Sequence, residues 1–121
     1  MADFLFVKID GDFTKINYSD IIYIECLKNY VKIVTTKRTY IVLVTMKHIE
    51  ERLPQDQFCR IHRSYIVALK HVDCFNSKSV NMGVKTLPLT EHHRNLLLEK
   101  VITISAEPRS RTNFGETVLL Q

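Results

Sequence analysis

Short β-type runs, closely spaced and separated by turn residues, limit most strongly what this chain can fold into. Asp10-Gly11-Asp12 lies between the runs Phe4–Ile9 and Phe13–Asn17. Because glycine accepts a positive φ, this pattern predicts a β-hairpin. Further runs of this kind are Ile21–Cys26, Tyr30–Thr35, Thr39–Val44, Val72–Asn76, Ser79–Asn81 and Val84–Leu89. Their number and spacing predict a mainly β fold built from antiparallel strands.

Two helices are predicted beside the strands. Thr45 is suited to cap a short helix near residues 46–53, which Pro54 would end. Thr90 is suited to cap a C-terminal helix near residues 90–104. Because strand-like runs separate the two helices, the chain carries no helix-turn-helix signal.

The chain has the length of one domain. Its 121 residues suffice to bury a core, and 45% apolar with 25% charged residues is ordinary for a globular protein. We expect a single domain over residues 1–105 and a loosely ordered tail over 106–121, where the apolar periodicity stops. No apolar run is long enough to span a membrane and no signal peptide is evident, so we predict a cytoplasmic protein without a membrane partner.

The cysteines indicate neither disulfides nor a metal site. Cys26, Cys59 and Cys74 lie in apolar or strand-like segments, as buried free thiols of a reducing compartment do. Cys59 and His62 have the spacing of a zinc-ligand pair, but no second pair completes the site. We therefore expect no metal and no cofactor.

Enzyme motifs are lacking as well. The sequence contains no glycine-rich phosphate loop and no nucleophile motif in a recognisable setting. We predict that the protein is not an enzyme and has no small-molecule substrate.

Charge is unevenly distributed along the chain. The net charge is +4, but residues 1–25 carry five acids against two lysines, whereas residues 26–47 carry five basic residues and no acid. This asymmetry favours a face that prefers an anionic polymer.

The segment Phe58–Val67 concentrates basic side chains among apolar ones. It contains Arg60, His62 and Arg63, and no carboxylate occurs between residues 57 and 72. We therefore expect positive charge without an internal partner, in a form suited to phosphate or to the guanine edge. A solvated strand edge with ordinary surface arginines is an equally weighted interpretation of this segment alone.

Several other residues leave two interpretations open. His62 could bind DNA or fix its own loop through hydrogen bonds, while Tyr30 and Tyr65 could stack on bases or pack in the core. Glu25, in an apolar run, favours structural pairing with a nearby lysine, arginine or backbone donor over acid catalysis. Adjacent histidines at 92 and 93 favour solvated helix positions over a metal or catalytic pair.

Three motifs in register resemble the LytTR-type DNA-binding domain of bacterial response regulators, over about residues 17–101. The first is Asp20–Glu25 followed by Asn29–Val31, the second is Phe58–Val67, and the third is Leu87–Thr90. The second motif is the most specific of the three, and motif order strengthens the match.

The resemblance implies an elongated, β-sandwich-like domain whose inter-strand loops enter successive major grooves of double-stranded DNA. It also implies the output domain of a two-component transcriptional regulator. The DNA-binding residues that follow from the motifs and the basic segment are Lys28, Asn29, Tyr30, Arg60, His62, Arg63 and His92. Among them, Arg63 is the candidate for base recognition in the second loop.

Two positions depart from the family pattern. Glu91 lies beside His92 where members often carry arginine, and its carboxylate repels phosphate. Arg94 or Lys85 would compensate through contacts with the DNA backbone. Ala68 replaces a frequent asparagine that we attribute to turn chemistry.

The predicted partner is double-stranded DNA with repeated half-sites, on which two copies could pair as a homodimer. The chain is too short to hold a receiver domain beside the β-domain, so we expect either the output half of a regulator or a stand-alone version. The alternatives are a β-rich binder of RNA or single strands and a protein-binding β-domain.

Overall fold

Ten strands and two helices make up the fold, in a computed structural model that describes residues 3–106. The strands are β1 (Phe4–Ile9), β2 (Asp12–Asn17), β3 (Ile21–Leu27), β4 (Tyr30–Thr35), β5 (Thr39–Val42), β6 (Phe58–His62), β7 (Tyr65–Ala68), β8 (Cys74–Phe75), β9 (Ser79–Asn81) and β10 (Thr86–Pro88). The helices are α1 (Met46–Arg52) and α2 (Glu91–Lys100). Apart from its first residue, the predicted tail over 106–121 lies outside the described residues.

The strands form three antiparallel sheets, as the sequence predicts. A five-stranded sheet in the order β5-β4-β3-β7-β6 occupies the centre, β1 pairs with β2, and β8, β9 and β10 form a third sheet. Successive strands pair in hairpins through most of the chain. The predicted mainly β, sandwich-like fold with two helices is confirmed.

Two apolar cores cover the two faces of the five-stranded sheet. In the first core, side chains of the β1–β2 hairpin and of α1, such as Ile16 and Ile49, pack against Ile24. In the second, Leu87 and Leu97 belong to the cluster formed by the third sheet and α2 against the opposite face. Because successive strand residues point to opposite faces, β3 buries four consecutive side chains, Ile21–Ile24, between the two cores. In β4, which is nearer the edge of the sheet, only alternate side chains are buried.

The β1–β2 hairpin forms a separate two-stranded sheet that packs against the central sheet without pairing with it. Its two-residue turn has a positive φ at both Asp10 (51°) and Gly11 (86°), which defines the type I′ geometry that suits twisted hairpins. Val7 and Ile16 are its buried contributions to the first core.

The first helix follows the sequence prediction. The Thr45 hydroxyl accepts a hydrogen bond from the backbone N–H of His48 at 3.1 Å, and α1 ends at Arg52, before Pro54.

The second helix is shorter than predicted. α2 ends at Lys100 rather than near 104, and Ile102 and Ile104 are each 97% exposed. β-branched side chains dominate residues 101–104, and they lose rotamer freedom in a helix. Thr90 occupies the N-cap position, but its side chain does not cap a backbone N–H. Its Oγ1 lies 2.6 Å from Nδ1 of His93 instead.

Candidate nucleic-acid interface

Two turns of the predicted DNA-binding surface lie side by side at one end of the central sheet. Lys28-Asn29 joins β3 to β4, and Arg63-Ser64 joins β6 to β7. Because β3 and β7 are paired, with Glu25 opposite Tyr65, both turns project from the same end of the sheet. A backbone hydrogen bond of 2.8 Å from Cys26 N–H to the Ser64 carbonyl ties them together. We call them the first turn and the second turn.

The start of α2 lies beside the second turn. The Thr90 N–H donates to the Ile61 carbonyl at 3.0 Å. Ile61 is the extra residue of a β-bulge, because the β6–β7 register shifts between Arg60 and His62. At the other end of the helix, Lys100 Nζ donates to the Phe58 carbonyl at 2.8 Å. All three loop regions that the sequence predicts therefore meet at one end of the molecule.

The second turn is held by side chains of its own strand. Arg60 donates from Nε to the His62 carbonyl at 2.8 Å and from Nη2 to the Arg63 carbonyl. The Ser64 N–H donates to Nδ1 of His62 at 3.0 Å, and the His62 ring lies 5.6 Å from that of Tyr65. His62 thus fixes the turn by hydrogen bonding, the role that the sequence left open beside DNA binding.

The expectation that the basic segment has no internal partner is wrong for Arg60. Its Nη1 lies 2.6 Å from Oε1 of Glu50, on α1. The partner escaped sequence analysis because it precedes Arg60 by ten residues, outside the carboxylate-free stretch. Nε, Nη1 and Nη2 all bond within the protein, so the guanidinium faces its own fold. Its contact with DNA stays a prediction.

Arg63, in contrast, is exposed. Within residues 3–106 its side chain forms no ion pair or hydrogen bond. Glu25, one conceivable partner, is held by Lys32, whose Nζ lies 3.5 Å from Glu25 Oε1 directly across the β3–β4 pair. The Tyr65 hydroxyl donates to Glu25 Oε2 at 3.4 Å. Structural pairing of Glu25 with a basic residue is therefore confirmed.

The first turn has fewer internal contacts than the second. Lys28 adopts a φ of 52°, a left-handed conformation that costs a non-glycine residue roughly 1–2 kcal/mol. Lys28, Asn29 and Tyr30 are all exposed, with Tyr30 at 45%. The nearest side-chain contact is a weak one, from Cys26 Sγ to the Lys28 carbonyl at 3.9 Å.

At the third region, His92 is exposed and His93 is partly buried. The two rings are perpendicular, with centroids 5.0 Å apart. Burial first, and then the nearby charges of His92 and Arg60, lower the pKa of His93 below its ordinary value. His93 therefore stays neutral over a wider pH range than a free histidine, and its Nδ1 bonds with Thr90.

Of the two residues expected to compensate for Glu91, one is committed to the fold. Arg94 Nε donates to the Ser77 carbonyl at 3.0 Å, which ties α2 to the third sheet. Lys85 is exposed.

The cysteines and histidines do not form a metal site in the described part of the chain. Between residues 3 and 106, no three or more His, Cys, Asp or Glu side chains are grouped as metal ligands are. Cys59 is buried as predicted, and this burial raises the pKa of its thiol to about 11. The expectation of a buried thiol is wrong for Cys74, which is exposed, and Cys26 is only half-buried. Over the same range, no helix combines the length and the apolar character that crossing a membrane requires.

Comparison with known proteins gives a family match over most of the chain. Residues 11–102 match the model of the LytTr DNA-binding domain. Sensory transduction protein LytT from Bacillus anthracis is 32% identical over 68 residues, which cover 56% of this chain and 28% of that protein. The CO-responsive transcriptional regulator RcoM from Rhodospirillum rubrum is 36% identical over 63 residues, covering 52% of this chain and 27% of RcoM. The chain thus matches little more than a quarter of the length of these relatives.

A solved structure shares the fold. The LytTr DNA-binding domain of a Bacillus cereus protein superposes with a TM-score of 0.70 at 18% sequence identity. The match covers 83% of this chain and 97% of the solved domain.

Proposed function

Since the chain belongs to the LytTR DNA-binding domain family, we propose that the end carrying the two turns and the start of α2 recognises double-stranded DNA in successive major grooves. The observation that carries this proposal is the meeting of three separate loop regions at one end of the sheet. Exposed polar or basic side chains project from each of them: Lys28, Asn29, Arg63 and His92. Hydrogen-bond donors on all three regions suit a polyanion that presents base edges between its phosphates.

Each side chain has a role that its chemistry supports. Arg63 carries a planar fork that can bond O6 and N7 of guanine together. Asn29 can pair with N6 and N7 of adenine, whereas Lys28 offers a flexible point charge to phosphate. His92 can donate to a base or to a phosphate, and Tyr30 can contact the sugar–phosphate backbone through its hydroxyl.

Two residues in the predicted contact set are better suited to support than to contact. Arg60 donates to two carbonyls of the second turn and to Glu50 on α1, and Nδ1 of His62 accepts from the Ser64 N–H. In this proposal they shape the turn from which Arg63 projects.

The proposed biological role is that of an output domain. LytT is a sensory transduction protein and RcoM a transcriptional regulator by name, and the matched segment is a minor part of each. We extend to this chain the control of transcription in the bacterial cytoplasm, without catalysis. Two copies on repeated half-sites would gain affinity through their effective concentration, because one small module buries an interface of roughly 600–1,000 Å².

Titration with a duplex and with a single strand of equal length, at several salt concentrations, tests the proposal. We expect preference for the duplex and a linear fall of log K with log salt, with a slope of about −0.9 for each phosphate contacted. Tighter binding to the single strand, or an affinity that salt does not change, would contradict it.

A duplex with two half-sites tests the pairing of copies. Binding should be tighter and cooperative when two sites lie an integral number of helical turns apart, since both copies then face the same side of the DNA. Equal affinity for one and two sites at every spacing would leave a monomeric binder.

A further inference from the structure

The Arg60–Glu50 pair connects the second turn to a helix that takes no part in the proposed contact. Glu50 lies on α1, and its carboxylate is bonded to Arg60 Nη1 at 2.6 Å. The two side chains are 18% (Arg60) and 34% (Glu50) exposed. Partial desolvation makes this contact stronger than a fully exposed ion pair of the same length.

The remaining donors of Arg60 define the shape of the second turn. Nε and Nη2 bond the carbonyls of two consecutive residues, His62 and Arg63. A guanidinium is planar and its donors form a rigid fork, so two carbonyls held by one fork cannot rotate independently. The peptide that carries the Arg63 side chain is thereby fixed relative to β6.

Glu50 in turn fixes the plane of the fork. Without a partner for Nη1, the Arg60 side chain could rotate about its own bonds and release the two carbonyls. With Glu50 in place, three acceptors in three directions determine the guanidinium orientation. The geometry therefore connects α1, through Arg60, to the angle at which Arg63 leaves the turn.

We propose that Glu50 and Arg60 are positioning residues for base recognition by Arg63, and that Glu50 governs sequence discrimination without contacting DNA. This inference rests on the proposed DNA-binding function. It assigns a function to a carboxylate that would otherwise only repel the phosphates of DNA. Glu50 should therefore lower general affinity slightly while raising selectivity.

Opposite effects on affinity and selectivity provide the test. The full chain first selects its preferred duplex from a random-sequence pool. Arg63→Ala and Asn29→Ala then identify the base positions that these two residues recognise. Binding to this duplex, to its single-base variants and to a random duplex is then measured for Glu50→Ala and Arg60→Lys. Glu51→Ala is the matched control, because Glu51 is the next residue of α1, is exposed, and has no ion pair within the described residues.

For Glu50→Ala we expect discrimination at the Arg63 base position to fall about fivefold, within the range that one bidentate contact supplies. Affinity for the random duplex should stay level or rise, and discrimination at the Asn29 position should persist. Arg60→Lys should also lose discrimination at the Arg63 base position and keep it at the Asn29 position, since lysine retains the charge but not the planar fork. Glu51→Ala should discriminate as the wild type does.

A double variant separates positioning from general damage. If Glu50 acts through the second turn, Glu50→Ala combined with Arg63→Ala should lose no more discrimination than Arg63→Ala alone. All comparisons are made below the onset of melting of every variant.

The inference would be overturned by unchanged discrimination in Glu50→Ala, by a loss spread equally over the Arg63 and Asn29 positions, or by additive losses in the double variant. Wild-type discrimination in Arg60→Lys would also overturn it. A wild type that prefers no duplex sequence would overturn the proposed function itself, whereas a selective wild type with an equally selective Glu50→Ala overturns only the positioning role.

Discussion

The first and second turns lie next to each other yet are built differently. In the second turn, the Arg60 side chain donates to two backbone carbonyls, and the His62 ring accepts a hydrogen bond from a backbone N–H. The first turn lies between the paired residues Leu27 and Tyr30, has a left-handed Lys28, and within residues 3–106 receives one weak side-chain contact, from Cys26 Sγ. A backbone hydrogen bond from Cys26 to Ser64 joins the two turns.

Because of this difference, the two turns can contribute differently to DNA binding, one mainly to selectivity and the other mainly to general affinity. A side chain on a braced backbone arrives at a base edge with its geometry already set, so little entropy is lost on binding. A side chain on a lightly held turn adapts to the DNA and loses that freedom when it binds. We therefore expect the second turn to contribute most of the discrimination and the first turn a larger share of the general attraction.

The strongest test of this division is Arg63→Ala. Loss of a pre-positioned bidentate contact should cost about 1–3 kcal/mol on the preferred duplex and little on a random one. Folding should be preserved, because the Arg63 side chain is exposed. Arg63→Lys should restore charge with little selectivity. Calorimetric melting and titration on the same variant give both quantities, and an early melt would make Arg63 a structural residue.

Asn29→Ala probes the same quantity in the first turn. We expect discrimination to drop at a single base position by about 1 kcal/mol, the lower end for a bidentate contact, because the turn is not braced. A loss of discrimination as large as that of Arg63→Ala would contradict the expectation that the first turn contributes less to selectivity than the second. Equal losses on preferred and random duplexes would assign Asn29 a structural role in the turn.

Lys28→Ala addresses general attraction. Removal of one phosphate-binding charge should weaken all duplexes to a similar degree and reduce the salt slope by about 1. Lys28→Gly is a useful companion, since glycine accepts the positive φ without strain. If both variants bind alike, the charge accounts for the effect; if glycine restores affinity, backbone strain does.

The smallest effect expected is the pH dependence at the start of α2. The pKa of His93 is lowered in the folded protein. As the pH falls below about 6.5, the unfolded chain therefore binds a proton at His93 before the folded protein does. His93 thus contributes stability that is present above pH 6.5 and is lost as the pH falls through its folded pKa. Melting temperatures of wild type and His93→Gln, compared from pH 8 to pH 5, should diverge as the pH falls, with the wild type losing more stability. Parallel curves would show that His93 does not titrate differently on folding.

Local signals in the sequence were sufficient to predict most strands. Asp10-Gly11 marks a turn by chemistry, and the boundaries of β1 and β4 coincide with the predicted runs. Thr45 acts as the cap it was predicted to be, because capping depends on residues three positions apart. The family motifs also indicated three loop regions, which the structure brings to one end of the molecule; their contact with DNA stays a prediction.

Contacts that depend on packing could not be predicted in this way. Glu50 reaches Arg60 only because α1 lies over the sheet at a particular position, which no spacing in the sequence encodes. Likewise the turn at Arg63-Ser64 contains no glycine, proline or asparagine, so only the bulge and the bracing side chains define it. The end of α2 was missed because Leu97 and Val101 have helical spacing, although the β-branched residues after Lys100 oppose a helix.

The separate β1–β2 hairpin has a consequence for how the molecule opens. A two-stranded ribbon is marginally stable alone, and this one is attached mainly through buried residues such as Val7 and Ile16. Amide hydrogens of residues 4–17 should therefore exchange with solvent through a local opening, well before those of β3. The first and second turns belong to the central sheet, so a molecule with its hairpin detached would still hold Arg63 in place. Such partly open molecules would still bind DNA in the proposed way. DNA binding would then follow the unfolding of the central sheet, whereas a melting curve would also include the earlier opening of the hairpin.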